Sequence, residues 1–234
     1  EVKPRMMEVQ GTVKIILVGP PGVGKSTFVS SCSNFSQSLE PELLRATISC
    51  ELHFFFMRHP TYGLLRVQLI DVPGEPTHCM ELVDSYFKGV HAVLLLYDLT
   101  EPKTLRNLES WNNRIISISE SRNRYRPPTW IVGNKSDLME YVRVSPEEEL
   151  HLADHLGATY GGRISSVLDR EFLRAMIGQI AVAVIHWFGG VAELETSKVT
   201  GLVNLHPPPA SEEDATEDVL SRADRSNPSS GTCC

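Results

Sequence analysis

Residues 19–26 carry a pattern that is typical of loops that bind phosphate groups, and we call this segment the phosphate loop. They read GPPGVGKS and match G-x-x-x-x-G-K-[ST]. An apolar run, residues 14–18, precedes them and a helical pattern follows, which is the context that this motif requires. Backbone N–H groups in such a loop and at a helix N-terminus bind anions. We therefore expect Lys25 to reach the β- and γ-phosphates of a nucleotide and the Ser26 hydroxyl to ligate Mg²⁺.

A second polar segment favours guanine over adenine. Asn134-Lys135-Ser136-Asp137 follows the apolar residues 129–132, at the expected carboxyl end of a strand, where open α/β sheets bind ligands. The Asp137 carboxylate can accept hydrogen bonds from the N1–H and the exocyclic amine of guanine, and adenine lacks this pair of donors. We expect Asn134 to tie this loop to the phosphate loop, and the stem of Lys135 to flank the base.

Short β-rich runs alternate with helical patterns along residues 10–191, which predicts a doubly wound α/β sheet. Strands are predicted at Lys14–Val18, His53–Met57, Arg66–Ile70, Ala92–Tyr97 and Thr129–Val132. Helices are predicted at Lys25–Cys32, Pro76–Phe87, Lys103–Ser119, Pro146–Leu156 and Glu171–Trp187. In the last of these, helical spacing predicts a buried face of Phe172, Ala175, Met176, Ile180 and Val184.

The composition of the 234 residues excludes several classes of protein. Lys and Arg number 22 against 29 Asp and Glu, and the net charge of -7 argues against nucleic acid as a partner and against a polybasic membrane patch. No run approaches the ~20 apolar residues of a transmembrane helix, and residues 1–10 lack the apolar segment of a signal peptide. The cysteines form neither a CxxC pair nor a disulfide framework, so we expect a reduced protein that faces the cytosol.

The motifs together resemble those of the Ras superfamily of small GTPases, and most closely its Rab branch, over residues 12–188. The similarity includes Asp71-Val72-Pro73-Gly74 at the position of D-x-x-G, Thr47 at the switch I threonine, Ser165-Ser166-Val167 at S-A-K, SYFKGV at residues 85–90, and YDLT at residues 97–100 with Thr104, Asn107, Leu108 and Trp111. The resemblance implies an α/β P-loop small GTPase fold, with a doubly wound, mostly parallel sheet of six strands and helices on both faces. It also implies GTP and GDP as ligands and Mg²⁺ as a cofactor.

The resemblance assigns roles to the matching positions. It implies that Thr47 ligates Mg²⁺ with Ser26, that Asp71 acts on the metal through a water, and that the Gly74 N–H bonds the γ-phosphate. Hydrolysis would release both loops, an order-to-disorder switch that partners can read. The implied catalytic residues are Lys25, Gly74 and Glu75. The full nucleotide-binding set is Gly19, Pro20, Pro21, Gly22, Val23, Gly24, Lys25, Ser26, Thr27, Phe35, Thr47, Asp71, Gly74, Asn134, Lys135, Asp137, Ser165, Ser166 and Val167.

Three segments are expected along the chain: an N-terminal extension (1–10), a small GTPase domain (11–191) and a flexible acidic tail (192–234). Within the tail, residues 206–234 hold six acids against two arginines and few large apolar residues, too few to form a core. Cys233 and Cys234 match the double-cysteine ending that Rab proteins carry for two geranylgeranyl groups. Two lipid chains give stable membrane anchoring where one is marginal. The implied location is the cytoplasmic face of an endomembrane or the plasma membrane, with a soluble cytosolic pool.

The resemblance further implies an exchange factor, a GTPase activator, a dissociation inhibitor, the prenylation machinery and effectors as partners. The predicted partner surface is Leu52–Met57 together with Met80, Val83, Tyr86 and Phe87 of the following helix. Core packing of these same residues is the open alternative.

Five positions depart from the family pattern: Glu75, Pro21, Val167, and Pro73 and Pro76, which stiffen the switch II entry. Glu75 replaces the glutamine that orients the attacking water, and it brings negative charge near the γ-phosphate. Pro21 replaces Gly or Ser, and its ring occupies space beside that phosphate. Val167 replaces the lysine of S-A-K, and Phe35 is the candidate for the aromatic residue beside guanine.

Two functions stay open: a Rab-like GTPase that hydrolyses GTP slowly, and a non-hydrolysing module held in the GTP state. A third, an ATP-dependent P-loop kinase, lacks a recognisable base-reading or lid segment.

Overall fold

The protein is built on one sheet of six strands, in the order β2-β3-β1-β4-β5-β6. The computed structural model describes residues 9–33, 50–74, 85–121 and 125–192. The strands are β1 (Gly11–Val18), β2 (Glu51–His59), β3 (Gly63–Asp71), β4 (Ala92–Asp98), β5 (Thr129–Asn134) and β6 (Thr159–Arg163). Only the β2–β3 pair is antiparallel among these strands. The predicted fold, a mostly parallel six-stranded sheet, is confirmed.

Five α-helices and one 3₁₀ helix connect the strands within the described residues. They are α1 (Lys25–Ser33), α2 (Pro102–Arg106), α3 (Leu108–Ser121), the 3₁₀ helix Met139–Tyr141, α4 (Pro146–Leu156) and α5 (Arg170–Trp187). The prediction of one helix over Lys103–Ser119 is wrong, because two helices cover this stretch, and Asn107, the C-cap residue of α2, separates them. The predicted helix Pro76–Phe87 lies mostly outside the described residues.

Helices cover both faces of the sheet, and each face has its own apolar core. Alternating residues of β1 belong to the two cores: Ile15 and Leu17 to one, Ile16 and Val18 to the other. The first core includes α1 and α5, and the second includes α3 and α4. Every residue of β4 is buried, which explains its continuous apolar run.

The buried face of α5 includes three of the five residues predicted for it. Met176, Ile180 and Val184 are buried as predicted, but Phe172 is 42% exposed, and Leu173 and Ile177 are buried instead. Ala175 is also exposed. Apolar side chains cover more than one stripe of this helix, so the spacing alone did not select the face that meets the sheet.

Strand β6 has the sequence TYGGR, which carries no alternating apolar pattern, so its own residues did not predict a strand. Its pairing with β5 contains a register shift between Ile131 and Gly133. The strand forms because it completes the sheet beside β5.

None of the helices in the described part of the chain is long and apolar enough to cross a membrane.

Candidate functional site

The polar motifs lie at the carboxyl ends of the parallel strands. The phosphate loop follows β1, Asp71 ends β3, Asp98 ends β4, Asn134 ends β5, and the segment Ser165–Val167 follows β6. Since the carboxyl ends of parallel strands meet on one side of a sheet, the fold brings together residues that are far apart in sequence.

Lys25, the first residue of α1, is buried at the phosphate loop. Its Nζ donates hydrogen bonds to the carbonyl oxygens of Gly19 (2.8 Å) and Pro20 (2.9 Å). Burial lowers the pKa of Lys25 to about 8, and the Asp71 carboxylate acts in the opposite direction. A bound phosphate would stabilise the protonated amine and so offset the cost of burying its charge.

Ser26 and Asp71 form a pair at the same loop. The Ser26 hydroxyl donates a hydrogen bond of 2.5 Å to Oδ2 of Asp71. The other oxygen, Oδ1, is buried and has no hydrogen-bond partner within the described residues. Burial raises the pKa of Asp71 above its ordinary value, opposed by the Ser26 hydrogen bond and the Lys25 charge. A hydroxyl and a carboxylate with a free oxygen are the oxygen donors that Mg²⁺ prefers, so these residues fit the ion.

An Asp71→Asn variant should bind guanine nucleotide with a much weaker dependence on Mg²⁺. The amide is a poor substitute for the charged oxygen, so chelation of Mg²⁺ should accelerate GDP release in the wild type but only slightly in the variant. The measurement is the GDP dissociation rate with and without chelator. The thermal midpoint of the nucleotide-free variant should not fall, because asparagine avoids the desolvation of a buried carboxylate. An unchanged chelator effect would contradict a role for Asp71 at the metal.

Gly74 brings the D-x-x-G segment against the phosphate loop. A Cβ atom on Gly74 would lie 2.3 Å from the backbone nitrogen of Pro21 and 2.5 Å from its Cα, so only glycine fits. The segment therefore touches the loop at both ends, through Asp71 on Ser26 and through Gly74 on Pro21.

Asn134 joins three loops. Its Nδ2 donates to the Val23 carbonyl oxygen in the phosphate loop (2.8 Å). Its Oδ1 accepts hydrogen bonds from the Ser166 N–H (3.0 Å) and hydroxyl (2.9 Å). The Ser166 carbonyl in turn accepts from the hydroxyl of Ser31 in α1 (2.6 Å). One buried amide thus holds the loops after β1, β5 and β6 together.

Lys135 has an unusual backbone conformation beside Asn134. Among the described residues it is the only non-glycine with positive φ, at 68°. Its Nζ forms an ion pair of 2.6 Å with Oδ2 of Asp98 at the end of β4. Such a conformation costs about 1 kcal/mol or more and is kept where neighbouring contacts hold it. The ion pair fixes the Lys135 stem, while Asp137, two residues on, is exposed to solvent.

Asp98 is a functional candidate that the sequence motifs did not predict. Its Oδ1 also accepts hydrogen bonds from the N–H and hydroxyl of Thr100 (2.8 and 2.7 Å), so the carboxylate is held by its own turn as well as by Lys135. An acid ending a fully buried strand was the signal available. The predicted residues Phe35, Thr47, Glu75, Cys233 and Cys234 lie outside the described residues, as do Met80 and Val83.

Comparison with known proteins adds a family assignment to this geometry. The family model described as the Ras family matches residues 14–181. The chain is 30% identical over 156 residues to the Ras-related protein RabC of Dictyostelium discoideum, covering 64% of this chain and 73% of that protein. It is 29% identical over 174 residues to the Ras-related protein Rab-11A of the same organism (74% of this chain, 76% of that protein). It is 32% identical over 145 residues to the Ras-related protein RABA1c of Arabidopsis thaliana (60% and 61%).

The family match covers the phosphate loop, the D-x-x-G segment and the loops after β5 and β6, which the fold collects on one side of the sheet. The chain therefore belongs to the Ras family of small GTPases.

Proposed function

We propose that this protein is a Rab-like GTPase that binds GDP and GTP with Mg²⁺, hydrolyses GTP slowly and recruits effectors to membranes in vesicle trafficking. The observation that carries the proposal is the set of hydrogen bonds made by Asn134. These bonds hold the candidate phosphate-binding loop and the two candidate guanine-binding loops in one arrangement.

The described residues would supply both halves of the proposed guanine-nucleotide site. Lys25 and the loop N–H groups would hold the phosphates at the start of α1. Asp137 would accept from N1–H and the amine of guanine, with the Lys135 stem beside the base and Ser165, Ser166 and Val167 across from it. The ion pair between Lys135 and Asp98 supports this role, because it limits the orientations of the stem.

The proposed Mg²⁺ ligands are Ser26 and Thr47, with Asp71 acting through a water. When bound, the ion would neutralise charge on the β- and γ-phosphate oxygens. Asp71 would hold its carboxylate toward the ion by accepting the Ser26 hydrogen bond on one oxygen and leaving the other free. The Gly74 N–H would bond the γ-phosphate, and loss of that phosphate would release the segment.

The proposed partner surface includes one face of β2. Leu52, Phe54 and Phe56 are 51%, 59% and 49% exposed, whereas Phe55, on the opposite face, is buried in the core. Phe87 is also buried, so core packing accounts for it and not for the three exposed side chains. Exposed apolar side chains on one strand face suit an apolar partner such as an effector. An exchange factor, a GTPase activator and a dissociation inhibitor complete the proposed set.

Two prenyl groups on Cys233 and Cys234 would anchor the protein to the cytoplasmic face of an endomembrane or the plasma membrane. Residues 192–234, of which 193–234 lie outside the described residues, would link the domain to the membrane, and a cytosolic pool would depend on the dissociation inhibitor. The acidic tail gives no electrostatic attraction to anionic lipid, so both lipid chains would be needed.

A second candidate function is a non-hydrolysing module held in the GTP state. Two features favour it: Glu75 in place of the usual glutamine, and the contact of Pro21 with Gly74, which leaves little room beside the phosphate loop. The two candidates differ in hydrolysis and agree in nucleotide binding.

Single-turnover hydrolysis of preloaded GTP separates the candidates. For the proposed function the wild type should hydrolyse GTP near the ~10⁻⁴ s⁻¹ of a small GTPase without its activator. Glu75→Gln should raise this rate about tenfold, because an amide can orient water without placing a negative charge beside the γ-phosphate.

Glu75→Ala is the control, since it removes the charge without supplying a group to orient water, and it should not match the glutamine variant. Tight GTP binding by a wild type without measurable turnover, recovered in Glu75→Gln, would favour the non-hydrolysing module and contradict slow cycling.

A further inference from the structure

Glu149 is a carboxylate with no solvent-exposed surface. It lies in the first turn of α4, a helix that begins with a capping box between Ser145 and Glu148. An acid in this turn is favourable for the helix, but Glu147 and Glu148 supply it from exposed positions. Helix formation therefore does not account for burying a third acid.

Three side chains from two strands donate hydrogen bonds to the Glu149 carboxylate. Tyr97, in β4, donates its hydroxyl to Oε1. Tyr160, in β6, donates its hydroxyl to Oε2 (2.9 Å). Arg163, at the end of β6, donates Nε to both oxygens (2.9 and 3.2 Å). Burial, and then the bond to Glu149, raises the pKa of Tyr97 above its usual range, which keeps its hydroxyl protonated as a donor.

The Tyr97 side of this network contacts the end of β5, directly before the N-K-S-D loop. A Cβ atom on Gly133 would lie 2.6 Å from the Tyr97 hydroxyl, so the backbone before Asn134 packs directly on that oxygen. Tyr97 also precedes Asp98, the partner of Lys135. The hydroxyl that Glu149 holds thus supports the backbone from which the N-K-S-D loop begins.

The Arg163 side leads to the loop after β6. The next residue, Ile164, donates its N–H to the Gly133 carbonyl (2.7 Å) and accepts a bond from the Ser136 N–H (3.0 Å). Arg163 also donates from Nη2 to the Val144 carbonyl (2.9 Å), on the segment that enters α4. Glu149 therefore accepts hydrogen bonds from Tyr97, which packs on the residue before the N-K-S-D loop, and from Arg163, which precedes the loop after β6.

We propose that Glu149 is a positioning residue for guanine recognition. Through its hydrogen bonds to Tyr97 and Arg163, it fixes the positions of the loops that carry Asp137 and Ser165–Val167. The inference rests on the proposed binding of guanine nucleotides. A buried ion pair adds little net stability compared with apolar packing of the same volume. The directional hydrogen bonds to Glu149 fix the positions of the ends of β4 and β6 more closely than apolar packing would.

The test compares release of GDP with release of inosine diphosphate, which lacks the exocyclic amine. Correctly placed, Asp137 bonds both N1–H and the amine of GDP but only N1–H of the inosine nucleotide. Glu149→Gln removes the charge and leaves the shape, and it should accelerate GDP release about tenfold while accelerating inosine diphosphate release less. Tyr97→Phe, which removes one hydroxyl, should act in the same direction by a smaller factor.

Val184→Ala is the matched control, because Val184 is buried in α5, in the apolar core on the face of the sheet opposite to α4. It lowers stability and should leave the ratio of the two release rates as in the wild type. Equal acceleration of both nucleotides in Glu149→Gln and Tyr97→Phe, or no acceleration, would overturn the inference. A wild type that binds GDP no better than adenosine diphosphate would instead overturn the proposed function, so the two failures are distinguishable.

Discussion

An Asp137→Asn variant should lose about a thousandfold in affinity for GDP and gain affinity for xanthosine diphosphate. The carboxylate can accept two hydrogen bonds from guanine, each charge-assisted, whereas the asparagine amide accepts one and turns a donor toward the guanine amine. Two such bonds are together worth about 4 kcal/mol, which corresponds to about a thousandfold. Xanthine carries a carbonyl oxygen where guanine carries the amine, so it can accept from the new NH₂ group. Competition of each diphosphate against a labelled nucleotide measures the change.

Asp154→Asn is the matched control for this substitution, because it removes one exposed acid from α4 outside the candidate site. It should leave the affinities for both nucleotides unchanged. Retention of wild-type GDP affinity by Asp137→Asn would remove Asp137 from the base-binding site, and with it the argument for guanine specificity.

Affinity for GDP should fall about tenfold between pH 7 and pH 9, because Lys25 loses its proton in the free protein and keeps it in the complex. Burial lowers the pKa of Lys25 to about 8 in the nucleotide-free protein, and bound phosphate would raise it. Below pH 8 the free amine is already charged, so binding needs no proton. Above pH 8 the binding of GDP must take up a proton, so the affinity for GDP falls with each further pH unit. Calorimetry in buffers of different ionisation enthalpy measures both the affinity and the proton uptake.

Lys25→Met should weaken GDP binding about a hundredfold at pH 7 and remove the part of the proton uptake that is due to the amine. The residual pH dependence of this variant reports ionisation of guanine itself, which both proteins share. Identical pH profiles for the variant and the wild type would contradict the assignment of the titrating amine to Lys25.

Much of the fold was predictable because buried parallel strands have a strong local pattern. β4 is apolar at nearly every position since both of its faces are covered, and its run AVLLLY is typical of such a strand. β6 was not predictable in this way, because TYGGR gains its stability from β5 rather than from its own side chains. In α5, apolar side chains on adjacent stripes left the buried face undetermined until it met the sheet.

The sequence by itself determined the fold class, the order of most elements and the identity of the candidate phosphate and guanine loops. These depend on short motifs in which a backbone conformation and a chemical group occur together, as in the glycines and lysine of residues 19–26. Only the tertiary structure decided that Asp98 holds Lys135, that Gly74 packs on Pro21 and that Glu149 accepts hydrogen bonds from Tyr97 and Arg163, next to the two candidate guanine-binding loops. Each of these contacts joins residues distant in the chain, and the sheet brings them together because the carboxyl ends of its parallel strands lie on one side.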